Sequence, residues 1–266
     1  MSTEVAKEKD KQRYAVPALE KGLGILLLFG RSQGGMSFND ICVRMAMPKA
    51  SVYRALYTLE EMGFLVRHAT GGSYMLGPGA LRLGFDYLSS MDIVRIGQPV
   101  IHGLRDATGH SAHLCVLDGR EVLYVARAGA PGEIGMGMGV GVGSRLPTHC
   151  TAIGRVLLME LPPEHVHALF PEKRFVHTSE QGPKTPRQLL ELLRQDRQRG
   201  YAISESFYQP GVSAVVYPLR DRERNIHASV SVMVPRSTLL LEQKKKLRTA
   251  VAQAARDIER FLQAAY

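Results

Sequence analysis

Apolar and polar positions alternate with two different rhythms along this chain. From Ala18 to Phe29 a leucine-rich stretch predicts a helix buried on several sides, partly in a dimer contact. After a loop at Arg31–Gly35, Ser37 stands as an N-cap, and Ile41, Val43, Met45 and Met47 surround a short helix that ends before Pro48. Pro48 suits the first turn of the next helix, where its missing N–H costs nothing. On that helix Val52, Ala55, Leu56, Leu59 and Met62 form one apolar stripe. Lys49, Ser51, Tyr53, Arg54 and Tyr57 are left on the other face. Gly63 follows where a C-cap glycine belongs. Phe64–Arg67, the turn Thr70–Gly71–Gly72–Ser73 and Tyr74–Leu76 then read as strand, turn and strand. Helix, turn, helix and wing is the order of a winged helix-turn-helix.

Leu81, Leu83, Phe85 and Leu88 next predict a connecting helix over about 79–90, and Val94–Thr108 a second, kinked near Pro99. Beyond Gly109 the rhythm shortens. His113–Asp118 and Glu121–Ala128 flank an Asp118–Gly119 turn, a strong hairpin signal. Residues 135–143, GMGMGVGVG, alternate strictly, which predicts a strand with Met136, Met138, Val140 and Val142 on one face. The glycines never complete GxGxxG and no helix opens there, which argues against a dinucleotide loop. Helices are predicted at about 149–160, 163–170, 186–199 and 237–263, and strands at 201–205, 212–219 and 226–234. A mixed antiparallel sheet with helices on it fits this order.

The residues of the second short helix suit base and phosphate recognition. An α-helix fits the major groove, and its first turns carry the side chains that meet base edges. Lys49 and Arg54 serve phosphates or guanine edges, and Ser51 and Tyr53 hydrogen-bond to either. With Ser37, Tyr57 and Arg67 of the wing they form the candidate DNA-binding set.

Composition constrains this picture only modestly. The chain has 266 residues, room for two domains. Its net charge of +9 is spread, with +1 over residues 1–14, +2 over 15–77 and +6 beyond. Charge therefore permits nucleic-acid binding without demonstrating it, and the motif carries the argument. Residues 1–14 are polar and mixed in charge, which predicts a disordered arm. The charged N-terminus and the lack of any apolar run near about 18 residues predict a cytoplasmic protein without a membrane span. Cys42, Cys115 and Cys150 are odd in number and far apart, which predicts buried free thiols in place of disulfides or a zinc site.

Several segments together carry a resemblance. PKASVYRALYTLEEMGFLVR, the wing end Tyr74-Met75-Leu76-Gly77, VLDGREVLYVAR, VGSRLPTHCTAIGRVLL, RGYAISES, GVSAVVYPLRD and ASVSVMVP resemble the IclR family of bacterial transcription regulators, from about Ala15 to Tyr266. The resemblance implies an α+β chain: a winged helix-turn-helix domain at 15–77, a linker helix at 78–91 and a GAF-like α/β effector-binding domain at 92–266. It implies a double-stranded DNA operator and a small-molecule effector as partners. It also implies dimers through the DNA-binding domains, often paired further into tetramers. No cofactor or metal is implied.

The family's effector pocket maps here onto His149, Cys150, Thr151, Ala152, Ile153 and Gly154, a helix start whose free N–H groups face a small carboxylate. A family member that senses glyoxylate and pyruvate carries an acidic residue and a cysteine on the next strands. Those positions align with Ser204 and Ala214, so both polar groups are replaced here. Two serines of a later strand are kept as Ser229 and Ser231, on one face at period two. The replacements predict a larger, less polar pocket and an effector such as an aromatic or alicyclic carboxylate.

Rival chemistries find less support. Residual hydrolase-like catalysis would centre on His149–Cys150, yet adjacent residues rarely reach hydrogen-bond geometry and no orienting Asn or Asp is apparent. A metal sensor built from His113, His149 and Cys115 or Cys150 lacks ligand spacing, and His165 and His167 point to different faces of their helix. An RNA binder lacks the aromatic pattern of an RNA-recognition fold.

Overall fold

A computed structural model describes residues 14–30, 35–68, 72–131, 140–176, 182–205, 208, 211–235, 237 and 241–264. The predicted arm before Tyr14, the loop at 31–34, the tip of the wing at 69–71 and most of the glycine-alternating run lie outside the described residues. The chain divides into two compact units, Met1–Leu88 and Ser89–Tyr266.

The first unit contains α1 (Pro17–Phe29), β1 (Met36–Ser37), α2 (Phe38–Met45), α3 (Lys49–Glu61), β2 (Leu65–Arg67), β3 (Ser73–Leu76) and most of α4 (Pro78–Ser89). Its three strands run antiparallel in the order β1-β3-β2. Ser37 caps α2: its Oγ accepts from Asp40 N at 3.2 Å, and its own N–H donates to Asp40 Oδ2 at 3.3 Å. Ala46 takes the left-handed conformation (φ 50°) and turns the chain into α3, which starts one residue after Pro48. Ile25, Phe29, Ile41, Val52, Leu56, Leu59, Leu65 and Tyr74 share the core.

Two expectations change. α1 buries only Ile25 and Phe29, while Leu19, Leu23 and Leu27 form an exposed ridge, with Leu27 74% accessible. Met62, expected in the α3 stripe, is 63% exposed, because the stripe narrows to Val52, Leu56 and Leu59. Beyond α3, Gly63 holds a left-handed φ of 74°, and the entry to α4 folds back on it. A Cβ on Gly77 or Gly79 would collide with the Gly63 carbonyl, which accepts from Gly79 N at 2.9 Å.

The second unit opens with α5 (Asp92–Thr108), which carries Pro99 within it. There follow β4 (Ala112–Asp118), β5 (Glu121–Ala128), β6 (Arg145–Pro147), a 3₁₀ turn (Thr148–Cys150), α6 (Ala152–Leu158), α7 (Pro163–Leu169) and α8 (Pro186–Arg199). β7 (Ala202–Glu205), β8 (Val212–Arg220), β9 (Ile226–Pro235) and α9 (Leu241–Ala264) complete it. The sheet order is β6-β5-β4-β9-β8-β7, and every pairing is antiparallel. α5 and α9 pack together against the sheet, and α6 packs against β7, β8 and β9. Because helices meet the sheet, its central strands read as nearly continuous buried runs.

Residues 140–143, the described end of the glycine-alternating run, form a turn and not a strand. Ser144 Oγ accepts from Gly141 N at 2.9 Å there. The helix expected at 149–160 is likewise interrupted: Thr151 is extended (φ −118°, ψ 148°) between the 3₁₀ turn and α6.

Candidate nucleic-acid interface and effector cavity

α3 presents three distinct sides. One is buried in the core. The outward side carries Lys49, Tyr53, Arg54 and Tyr57, all exposed, with the two tyrosines 56% and 55% accessible. Lys49, Tyr53 and Arg54 border a shallow depression with Phe38 of α2. Ser51 is half-buried on the third side, where α3 faces α1. Arg67 on β2 is held by Glu60, Nε to Oε2 3.1 Å, and lies over the Tyr74 ring at 5.2 Å. The wing strand is thereby tied to the end of α3. Ser37 spends its side chain on the α2 cap.

Between α1 and α3 runs an apolar groove of about 1080 Å³, lined by Leu19, Leu23, Leu26, Ala55, Met62, Phe64 and Leu83 among others. Its size and composition set it apart from the scattered apolar residues of an ordinary surface.

In the second unit a small cavity of about 40 Å³ lies at the start of α6. Thr151, Ala152, Ile153, Ser204 and Ala214 line it, with Tyr124, Val140, Leu146, Tyr208, Val212, Ser213 and Met233. Among these described residues no side chain is charged. Thr151 organises the entrance. Its Oγ1 accepts from Gly154 N at 3.0 Å and donates to Pro147 O at 3.1 Å, and its carbonyl accepts from Arg155 N at 3.0 Å. The N–H groups of Ala152 and Ile153 belong to the first helical turn, which has no carbonyl partner within the helix.

Behind the cavity, Arg155 is buried. Its Nε donates to Asp196 Oδ2 at 2.6 Å and its Nη2 to Ile203 O at 2.8 Å. Burial pushes the Asp196 carboxyl above its ordinary value, against the attraction of Arg155.

Sequence comparison bears on both sites. The profile described as "Bacterial transcriptional regulator IclR C-terminal" matches residues 85–260, and "IclR helix-turn-helix domain" matches 18–69. The chain belongs to the IclR family of bacterial transcriptional regulators. It is 28% identical to the HTH-type transcriptional regulator XynR of Escherichia coli K12 over 93% of this chain and 97% of that protein. A transcriptional regulator of Rhodococcus sp. RHA1 superposes with TM-score 0.80 at 27% identity, covering 92% of this chain and 98% of that one. An IclR homolog from Microbacterium hydrocarbonoxydans, crystallised with 4-hydroxybenzoate, shares the fold with TM-score 0.78 at 22% identity, covering 91% and 98%. The described helices of this IclR-family chain include none long and apolar enough to cross a membrane.

Within the IclR-family frame the candidate effector residues separate into groups. Thr151, Ala152, Ile153, Ser204 and Ala214 come together around the cavity. Glu205, beside Ser204, turns away and pairs with Lys244 at 2.8 Å, so the neighbouring carboxylate stays out of the lining. Ser229 and Ser231 are buried on the same face of the sheet but do not line the cavity.

Three of the expected contacts, Gly154, His149 and Cys150, lie outside the cavity lining. Gly154 gives up its N–H to Thr151, and a Cβ there would overlap the Thr148 backbone. His149 lies in an aromatic cluster, stacked on Phe175 at 4.3 Å and edge-on to Phe170 at 5.8 Å. Cys150 is buried, with its thiol pushed up to about 11 by burial. A thiol so protonated at neutral pH is a poor nucleophile, and the adjacent imidazole is engaged with phenyl rings.

Tyr124, Val212, Ser213 and Met233 escaped sequence reasoning. Met233 was within reach, because period two from Ser229 and Ser231 leads directly to it, and it pairs in register with Ala214.

Proposed function

We propose that this protein is a ligand-responsive, sequence-specific DNA-binding regulator that works as a homodimer and answers to a small organic monocarboxylate of aromatic or alicyclic type. The observation that carries the effector class is the lining of the cavity at α6: apolar side chains and neutral hydroxyls around a helix start, with no charged side chain among the described residues. Backbone N–H groups at Ala152 and Ile153 attract one carboxylate, and the apolar remainder suits a hydrocarbon ring once lining side chains such as Met233 move to enlarge the small cavity. That the same fold holds 4-hydroxybenzoate in the Microbacterium protein supports this reading.

On the DNA side, Lys49, Tyr53, Arg54 and Tyr57 face outward on α3, and two copies reading a near-palindromic operator satisfy the usual geometry of helix-turn-helix dimers. The apolar groove of the first unit supports self-association of the reader domains. α4 joins the two units along the chain, and effector binding changes DNA affinity by no more than its preference between two arrangements of the dimer.

Selection of tight-binding sequences from a random DNA pool tests this reading. The purified protein is expected to enrich a single, roughly palindromic site, and one carboxylate from an aromatic and short-chain panel is expected to change affinity for it. Enrichment of no sequence would refute the reader. A selected site indifferent to every carboxylate would refute the effector class.

A further inference from the structure

Strand register sets the side chains of the α6 face in rows across the sheet. Ser204, Ala214 and Met233 form one row, all lining the cavity. Tyr124, which also lines it, stands two rows away, paired with Cys115. The row between them is His113, Ser231 and Val216. The residues that bound the cavity therefore bracket His113 and Ser231.

Both are polar and buried: His113 is 2% exposed and Ser231 fully enclosed. The His113 ring meets the Tyr124 ring edge-on, centroids 5.4 Å apart at 86°, which fixes it on the cavity's side of the sheet. Among the described residues neither His113 Nδ1 nor Ser231 Oγ has a hydrogen-bond partner, and Ser229 Oγ in the next row has none either. Buried polar groups without partners are rare, because each forfeits the hydrogen bonds it made in water. Here they adjoin one another one row behind the cavity lining, on its side of the sheet.

We infer that His113, with Ser231 beside it, is the specificity-determining residue for a second polar group of the effector, a hydroxyl or carbonyl at the end remote from the carboxylate. This rests on the monocarboxylate reading proposed above. Burial, reinforced by the charge of Arg127, pushes the His113 imidazole down to about 3, so the ring is neutral at physiological pH. A neutral imidazole donates through one nitrogen and accepts through the other, and offers no charge to a second carboxylate. The row therefore selects hydroxy- and oxo-acids over diacids. Met233, unbranched and in the adjoining row, is the lining side chain best suited to move aside as the ligand enters.

Isothermal titration calorimetry on the full chain at pH 7, with benzoate and 4-hydroxybenzoate as probes, tests the inference. The wild type is expected to bind the hydroxylated acid at least about tenfold more tightly, since a site built to pair a hydroxyl rejects its absence. His113→Leu is expected to erase that preference, so that the two acids bind alike. Should His113→Leu fail to fold, as judged by its melting curve, Ser231→Ala and His113→Asn carry the test, each expected to reduce the preference. If the wild type binds both acids equally, or if folded variants keep its preference, the role of His113 is overturned and the carboxylate reading stands. Binding of neither acid by the wild type overturns both.

Discussion

Arg155 and Asp196 meet Nε to Oδ2 at 2.6 Å with each side chain only 2% exposed, locking α6 to α8 directly behind the cavity. A buried pair of this kind adds little over a well-packed apolar pair, but removing one partner strands the other charge. Asp196→Ala is expected to lower unfolding stability by about 3–5 kcal/mol in chemical denaturation. The double change Arg155→Met with Asp196→Leu is expected to recover most of that loss. Equal destabilisation by both variants would show that specific hydrogen bonds, such as the one from Arg155 to Ile203 O, matter more than charge compensation.

Arg54 extends from the outward side of α3 beside Lys49 and Tyr53. Arg54→Ala is expected to cost about 1–3 kcal/mol of affinity for the selected DNA site. Lys49→Ala, if it serves a phosphate, is expected to weaken all sequences alike and to flatten the salt dependence. Competition binding at two salt concentrations separates the two roles. An unchanged Arg54→Ala titration would remove that residue from the interface.

Gly154 stands where a side chain would overlap the Thr148 backbone. Gly154→Ala is expected to force the 3₁₀ turn away from α6, lowering stability by about 1–3 kcal/mol. The same displacement should abolish any thermal shift given by an effector acid, because Thr151 and Ala152 move with the turn. A variant that melts normally and still responds to the acid would show that the turn adapts.

His113 sets a pH dependence of known sign. Its folded value of about 3 lies below the ordinary 6.5, so the unfolded chain binds the proton first as pH falls. The stability it confers is complete above about pH 6.5 and is lost as acid protonates the unfolded state, by about 1.4 kcal/mol per pH unit. The unfolding free energy of wild type minus that of His113→Leu should fall steadily between pH 6.5 and 4. Parallel stability curves would mean that the buried imidazole reaches water before the protein unfolds.

The helices of the reader were legible because caps and helical periodicity are local. The Ser37–Asp40 box and the stripe Val52, Leu56, Leu59 are written in neighbouring residues. Met62 and the leucines of α1 misled for the opposite reason: periodicity marks an apolar side but does not say which partner covers it. The hairpin at Asp118–Gly119 was likewise plain from its turn, and the long strands β8 and β9 from nearly continuous apolar runs. The break at Thr151 was not, since it depends on Gly154 admitting the Thr148 backbone, a contact between turn and helix that no spacing rule encodes. The row of His113 and Ser231 needs the pairing of β4 with β9, whose strands lie more than a hundred positions apart. Sequence placed the serines on one face; only the register supplied their neighbour.

The most direct measurement is fluorescence anisotropy on DNA from upstream of the protein's own gene, at fixed salt, with and without aromatic monocarboxylates. The expected result is binding at least about a thousandfold tighter than to random DNA of equal length, a shift in that affinity with one of the acids, and loss of the specific component in Arg54→Ala. Binding no tighter than to random DNA, unmoved by any acid and unaffected by Arg54→Ala, would contradict a ligand-gated reader of that DNA.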